Sequence, residues 1–275
     1  MNSTIKISHY FSTSEVENIQ APYYYILLLD GGFAFSLDQK NYHCQGKTIL
    51  FMSPFQQLEW LEVKGKSTTI LCFHGDFYCI EYHKKEVACN GILFNNIYHA
   101  PFIGVSATFY EEIQSLFTKI AEVEETNLAY NVSILKSYLQ LILALVNREK
   151  QREIHQWDYN LEEDCLQFKH QLEQSFAQHK SVVYYAELNG IALASFSKKI
   201  KKIYGKTPTQ LIQERLVLEA KKLLHLTTKP MKEIATALGF EDEFYFSRYF
   251  KKATGVSPSQ FRKEVGISIV AKKSR

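Results

Sequence analysis

The chain has 275 residues, of which 46% are hydrophobic, 14% aromatic and 22% charged; that apolar share excludes a disordered or collagen-like polymer, and the length suits two domains of ~100–200 residues. The longest apolar runs, such as residues 141–146, fall far short of the ~20 residues that cross a bilayer, and the first ten residues lack the basic-then-apolar order of a secretory signal, so a cytoplasmic protein is expected. A formal net charge of +3 hides a division: residues 1–165 carry 12 Lys+Arg against 20 Asp+Glu, a balance of −8, whereas residues 166–275 carry 20 against 9, a balance of +11. A basic module is drawn to polyanions, and nucleic acid is the usual one.

Residues 23–80 read as short strands between turns. The aromatic and branched run 23–29 is followed by Asp30-Gly31-Gly32, and run 33–37 by the polar turn Asp38-Gln39-Lys40-Asn41. Runs 42–44, 48–52, 57–63 and 68–73 continue the pattern, separated by Gly or Pro. Strand-sized segments at this spacing predict a β-sandwich or small barrel. After Pro101 the apolar positions recur at helical spacing, at Phe109, Ile113, Leu116, Phe117 and Ile120, then at Ile134, Leu135, Tyr138, Leu139, Ile142, Leu145 and Val146. They predict two amphipathic helices over about 107–124 and 128–150, joined as a hairpin. The apolar stripe of the second serves either internal packing or a dimer seam, with Leu135, Leu139 and Ile142 as the seam candidates. The polar, charged stretch that follows reads as a linker. The expected domains are 1–150, a linker over 151–163, and 164–275.

The basic module repeats itself. Ala186 to Pro208 and Ala235 to Pro258 each hold a short helix ending at a glycine (Gly190, Gly239), then a second helix ending in Lys-Lys-x-x-Gly at Gly205 or Gly255. Helix, tight Gly turn, helix is the helix-turn-helix arrangement. Pro208 and Pro258 mark where the next helices begin. Periodicity assigns Phe196, Ile200 and Ile203 to the buried stripe of the first recognition helix, and Phe246, Phe250 and Ala253 to that of the second. Glu243, Tyr245, Ser247 and Arg248 point away near the N-terminal end, the end that enters a major groove. Arg248 has the fork geometry for guanine O6 and N7. Lys198, Lys201, Lys202, Lys251 and Lys252 suit phosphates. Between the units, residues 208–226 predict a long amphipathic helix that spaces the two probes.

These residues carry a family likeness. Arg215-x-x-x-Glu219-Ala220-Lys221-x-Leu223-Leu224, then Ile234-Ala235-x-x-Leu238-Gly239-Phe240-x-Asp242, then Tyr245-Phe246-Ser247-Arg248-x-Phe250-Lys251-Lys252-x-x-Gly255-Val256-Ser257-Pro258-x-x-Phe261-Arg262 resemble the DNA-binding domain of AraC-type bacterial transcription regulators over roughly residues 165–264. The first unit departs from the pattern: Asn189 precedes Gly190 where the family usually has Leu, and Ala192 stands where it has a capping Ser. That unit therefore either reads bases or mainly anchors phosphates. The resemblance implies DNA-contact positions at Ala194, Ser195, Ser197 and Lys198, and at Glu243, Tyr245, Ser247 and Arg248. It also implies a cupin-like N-terminal β-barrel that senses a small-molecule effector and forms a homodimer, and RNA polymerase as a partner. The expected fold class is α+β in two domains, with a cupin-like barrel and helical hairpin followed by an all-α double helix-turn-helix.

Phe33, Phe35, His43, Phe51 and Trp60 lie in or near the strands and are either core or effector contacts. His74, Asp76, Cys79, His83, Cys89 and His99 invite a metal site, but the spacing of a cupin metal site is lacking; His74 with Asp76 reads as a structural hydrogen bond, and no metal or cofactor is expected. Cys44, Cys72, Cys79, Cys89 and Cys165 have no tight paired spacing and read as reduced thiols. No nucleotide-binding or nucleophile motif occurs in a usable context, so the chain reads as a regulator and not an enzyme. The alternatives are a cupin-type metalloenzyme with a basic helical tail and a constitutive DNA-binding protein without effector.

Overall fold

The computed structural model describes residues 5–10, 17–78, 92–126, 128–159 and 163–267. Among them a β-rich N-terminal part with a helical hairpin precedes an all-α C-terminal part, the α+β division expected. One antiparallel sheet has the order β1 (Ile5–Tyr10), β7 (Ser67–His74), β2 (Tyr23–Asp30), β5 (Lys47–Met52), β8 (Phe102–Gly104). The other has the order β4 (Lys40–Cys44), β3 (Phe33–Leu37), β6 (Leu58–Val63). The turn between β3 and β4 is two residues long, Asp38 and Gln39, both at positive φ (49° and 67°), the conformation that matches the twist of a hairpin.

Strand alternation explains why β2 and β5 are apolar without a break. Leu27, Leu29, Leu50 and Met52 face the three-stranded sheet, where they meet Phe33, Phe35 and Leu37. Ile26, Leu28, Ile49 and Phe51 face the other way, onto α1 (Ala107–Glu124) and α2 (Asn131–Tyr159). A sheet covered on both faces needs apolar side chains at every position.

The first predicted helix has the bounds expected. The second runs on to Tyr159, so residues 151–159 of the predicted linker are helical. Lys150 accounts for part of this: it is buried, donates to the Phe102 carbonyl at 2.9 Å and pairs with Glu153 at 3.3 Å. Leu135, Leu139 and Ile142 are buried against α1 and the sheet, which corrects the seam reading: they are internal packing. The face of α2 left partly exposed runs through Ile134, Tyr138, Leu141 and Leu145.

The effector candidates do not converge. Phe33, Phe35 and Trp60 pack ring on ring between the sheets, at 5.7 and 6.0 Å. Phe51 lies on the opposite face of the five-stranded sheet, 5.8 Å from Phe94. His43 is exposed on β4. Among the metal candidates, His74 accepts from the Asp76 backbone at 3.2 Å and donates through Nε2 to the Glu264 carbonyl at 2.7 Å, so its ring is engaged as a structural link. Cys79, His83 and Cys89 lie outside the described residues. Cys44 and Cys72 are free thiols, and Cys165 is buried.

His99 packs edge-on against Trp157 of α2 at 4.5 Å, with Nε2 3.9 Å from Asp158. Burial, helped by Lys169, pushes its pKa from 6.5 down to about 4. Above pH 6.5 the ring is neutral folded or unfolded. As pH falls from 6.5 to 4 the unfolded chain binds a proton that the folded chain resists, so stability drops through that window. His99→Phe should flatten this part of the profile, measured as a smaller loss of melting temperature between pH 6.5 and 4 than in the parent; equal slopes would remove His99 as the cause.

Candidate nucleic-acid interface

The all-α part begins with α3 (Glu163–Ser175) and holds two short-helix, turn, long-helix units. These are α4 (Val182–Leu188) with α5 (Leu193–Tyr204), and α7 (Met231–Ala237) with α8 (Glu243–Thr254). Between them runs α6 (Pro208–Leu226), and α9 (Pro258–Val265) follows. One core holds both units: Phe196, Ile200 and Tyr204 from α5, Phe246 and Phe250 from α8, and Leu211, Leu216, Ala220 and Leu224 from α6.

The start and stop signals work as the residue types dictate. Asp242 accepts from the Tyr245 amide at 2.7 Å and its charge complements the positive end of α8. Ala192 gives α5 no such cap, the physical counterpart of the departure noted in the first unit. Thr207 and Gln210 form a capping box ahead of α6, and Ser257 caps α9. Lys201 and Lys202, then Lys251 and Lys252, occupy the last turns of α5 and α8, where the helix dipole favours cations. Gly205 and Gly255 end both helices in the left-handed conformation.

The third member of each buried stripe is one residue later than expected, at Tyr204 and Thr254, while Ile203 and Ala253 are half-buried. Both hydroxyls are satisfied inside: Tyr204 donates to the Cys165 carbonyl at 2.8 Å and Thr254 to the Phe250 carbonyl at 2.9 Å. Ala194, Ser195, Lys198, Lys201, Lys202, Tyr245, Arg248, Lys251 and Lys252 are exposed, and Ser197, Glu243 and Ser247 are half-buried. The outward faces therefore hold most of the expected contact residues, with cations along both. Sequence reasoning passes over Phe244, which is 69% exposed beside Tyr245 at 51%.

The two units are braced. Lys180, just before α4, donates to the Gly239 carbonyl and lies 3.8 Å over the Phe240 ring. Arg215 on α6 pairs with Glu173 on α3 at 2.8 Å and with Glu219 at 3.1 Å, stacked 3.9 Å from the Phe176 ring.

The β-rich part grips the opposite ends of the recognition helices. Lys40 at the start of β4 donates to the Tyr204 carbonyl of α5 at 3.3 Å. Gln20 donates to the Thr254 carbonyl of α8 at 3.4 Å, and its neighbour Ile19 is bridged to Leu58 of β6. One recognition helix is thus held from the outer strand β4 and the other from the segment bridged to the outer strand β6. Burial and the nearby Lys206 ammonium push the Lys40 pKa down to about 8. Phe55 enters the helical core, 5.4 Å from Phe261, at the strained φ of 61°; Lys221 donates to the Pro54 carbonyl and Lys206 to the Ile97 carbonyl, each at 3.0 Å. A cleft of about 430 Å³ opens between the two parts, with Ser53, Asn96, Tyr98, Arg215, Lys221 and His225 among its lining.

With this geometry in hand, comparison with known proteins is decisive for the C-terminal part. The family described as "Helix-turn-helix domain" matches residues 185–264. The arabinose operon regulatory protein of Escherichia coli (strain K12) is 46% identical over 50 residues, 18% of this chain and 17% of that protein. Residues 185–264 of this chain are a helix-turn-helix domain similar to that of AraC-type regulators. The HTH-type transcriptional regulator YisR of Bacillus subtilis (strain 168) is 41% identical over 69 residues, 25% of this chain and 24% of that protein. The matched stretches span about a quarter or less of these curated relatives. Among solved structures, the C-terminal domain of AraT, a response regulator from Geobacillus stearothermophilus, is 30% identical with a TM-score of 0.36, covering 38% of this chain and 87% of that one. Two structural features of the helical part lie outside the quoted motif: the Lys180 brace and the contacts it receives from Gln20 and Lys40 of the β-rich part.

Close packing makes one turn more demanding than its repeat. At Gly239 (φ +67°) a Cβ would lie 2.1 Å from the Ala177 carbonyl oxygen, whereas at Gly190 (φ +64°) nothing lies within 4 Å. Gly190→Ala should cost only the left-handed backbone penalty, about 1–2 kcal/mol. Gly239→Ala should cost clearly more, measured by thermal or urea unfolding; equal losses at both sites would contradict the close approach.

Proposed function

We propose that the chain is a sequence-specific, duplex-DNA-binding transcription regulator in which the β-rich part senses a small-molecule effector. One observation carries the reading: the N-terminal ends of α5 and α8 face solvent, Lys198 and Arg248 are exposed one turn on, and Lys-Lys pairs close both helices, while the C-terminal carbonyls are held by the β-rich part. An α-helix end of this kind fits a major groove, and successive grooves on one face lie ~34 Å apart. A stiff α6 suits one chain to two adjacent grooves. Ala194, Ser195, Ser197, Lys198, Glu243, Tyr245, Ser247 and Arg248 are the base-facing candidates, and Lys201, Lys202, Lys251 and Lys252 the phosphate anchors.

The effector we place in the cleft between the parts instead of among the packed rings between the sheets, because a ligand there touches both parts. Switching then is a population shift: the ligand favours one seating of the sensor on α5 and α8 over another. The Ile134, Tyr138, Leu141 and Leu145 face of α2 supports a homodimer, in which two chains double the DNA contacts. RNA polymerase, the partner implied by the resemblance, would meet the DNA-bound form. A cytoplasmic protein that acts by binding and not by catalysis fits this reading; no described helix is long and apolar enough to cross a membrane.

Two variants test the face assignment on duplexes selected from a random pool. Arg248→Ala should cost ~1–3 kcal/mol and relax preference at a single base pair if it pairs with guanine. Lys251→Ala should weaken binding to every sequence and lower the slope of affinity against salt by about 1. Parent-like binding by both variants would show that this face does not meet DNA.

A further inference from the structure

Phe244 stands where a buried aromatic would not. Its neighbours Phe240, Phe246 and Phe250 fill the helical core, yet Phe244 is 69% exposed at the second position of α8. At 3.6 residues per turn it lies on the same outward face as Arg248, one turn on, and Lys252, two turns on. Tyr245 beside it leans on Phe240 at 5.7 Å and is itself half in water. The groove-facing end of α8 therefore carries an exposed apolar ring, with Asp242 and Glu243 before it and Arg248 one turn on. The repeat supplies the same chemistry on α5, where Ala194, fifty residues before Phe244, is also exposed at the second position.

In the major groove the one apolar group on a base edge is the thymine 5-methyl, and Phe and Ala are side chains that pack on it. We infer that Phe244 is a specificity-determining residue that selects thymine in the half-site read by α8, with Ala194 as its smaller counterpart on α5. This rests on the DNA-binding reading above and adds to it the base class recognised. The cations further along the same helix make the choice of partner: a face on which Arg248, Lys251 and Lys252 follow an exposed aromatic is complementary to a polyanion that offers methyl groups, which duplex DNA does. The half-buried Glu243 adds discrimination, since its carboxylate accepts from cytosine N4 and is repelled by phosphate if α8 rides out of the groove.

The test removes the methyl and nothing else. Duplexes are selected from a random pool with the full chain, and each thymine of the selected site is replaced singly by deoxyuridine. Parent protein should lose about fourfold in affinity at one thymine, the ~0.8 kcal/mol of a buried methyl-sized group converted at 1.4 kcal/mol per tenfold. Phe244→Ala should bind the thymine and deoxyuridine duplexes equally, with an unchanged melting temperature because the side chain is outside the core. The inference is overturned if no thymine is sensitive in the parent, if selected sites lack thymine opposite α8, or if Phe244→Ala keeps the same methyl dependence. It is also overturned if Phe244→Ala binds every duplex like the parent, which would assign the exposed ring to a protein partner. Failure to enrich any duplex would instead overturn the DNA-binding reading itself.

Discussion

α6 is the constraint on which the C-terminal half depends. It buries Leu211, Ile212, Leu216, Ala220 and Leu224 in the core that also receives Phe196 and Ile200 from α5 and Phe246 and Phe250 from α8. Close-packed side chains of this kind move together or not at all. Neither recognition helix can rotate without disturbing the packing of α6, and through it the other unit. Lys180 adds a direct tie across the units, and Arg215 fastens α6 to α3. Two probes held this way act as one object, with a spacing set by protein packing and not by the DNA.

The β-rich part holds the ends of α5 and α8 opposite to those proposed to meet DNA. Carbonyls in the last turn of a helix lack intrahelical donors, and those of Tyr204 and Thr254 take donors from Lys40 and Gln20. Lys40 lies on one edge strand of the small sheet and Gln20 follows Ile19, which is bridged to the other edge strand, so a change in the seating of that sheet reaches both helices at once. Phe55 fixes the seating by entering the helical core from a strained backbone, and the burial of a phenyl ring, about 1.5–3 kcal/mol, offsets that strain. In the proposed reading, a small ligand in the cleft beside these contacts biases them.

Much of this was legible before the fold was known, for identifiable reasons. Gly and Pro punctuation separates the strands, and the i, i+4 spacing of Phe196 with Ile200 and Phe246 with Phe250 assigns core faces. The repeat of Lys-Lys-x-x-Gly marks both helix ends. Tyr204 and Thr254 escaped the core assignment because a hydroxyl reads as polar until its internal partner is seen. The continuation of α2 was hidden because a charged stretch with weak periodicity resembles a linker, while the buried Lys150 depends on a carbonyl from β8. Gln20, Lys40 and Phe55 carry no local signal, since their partners lie more than 160 residues away in the chain. Phe244 was visible on the helical face, but a motif match draws attention to its neighbours.

The central claim is that one chain presents two recognition helices at a fixed separation. A series of duplexes with base pairs inserted between the two contact blocks of a selected site tests it most directly, with affinity measured for the full chain. An insertion of about 5 base pairs turns the second block through half of the ~10–10.5 base-pair helical repeat. The account predicts that this insertion reduces affinity to that of a duplex holding one block alone, and that a full-turn insertion does not restore it, since the two units cannot move apart. Affinity indifferent to the insertions would contradict it, and would mean that α5 and α8 reach DNA independently.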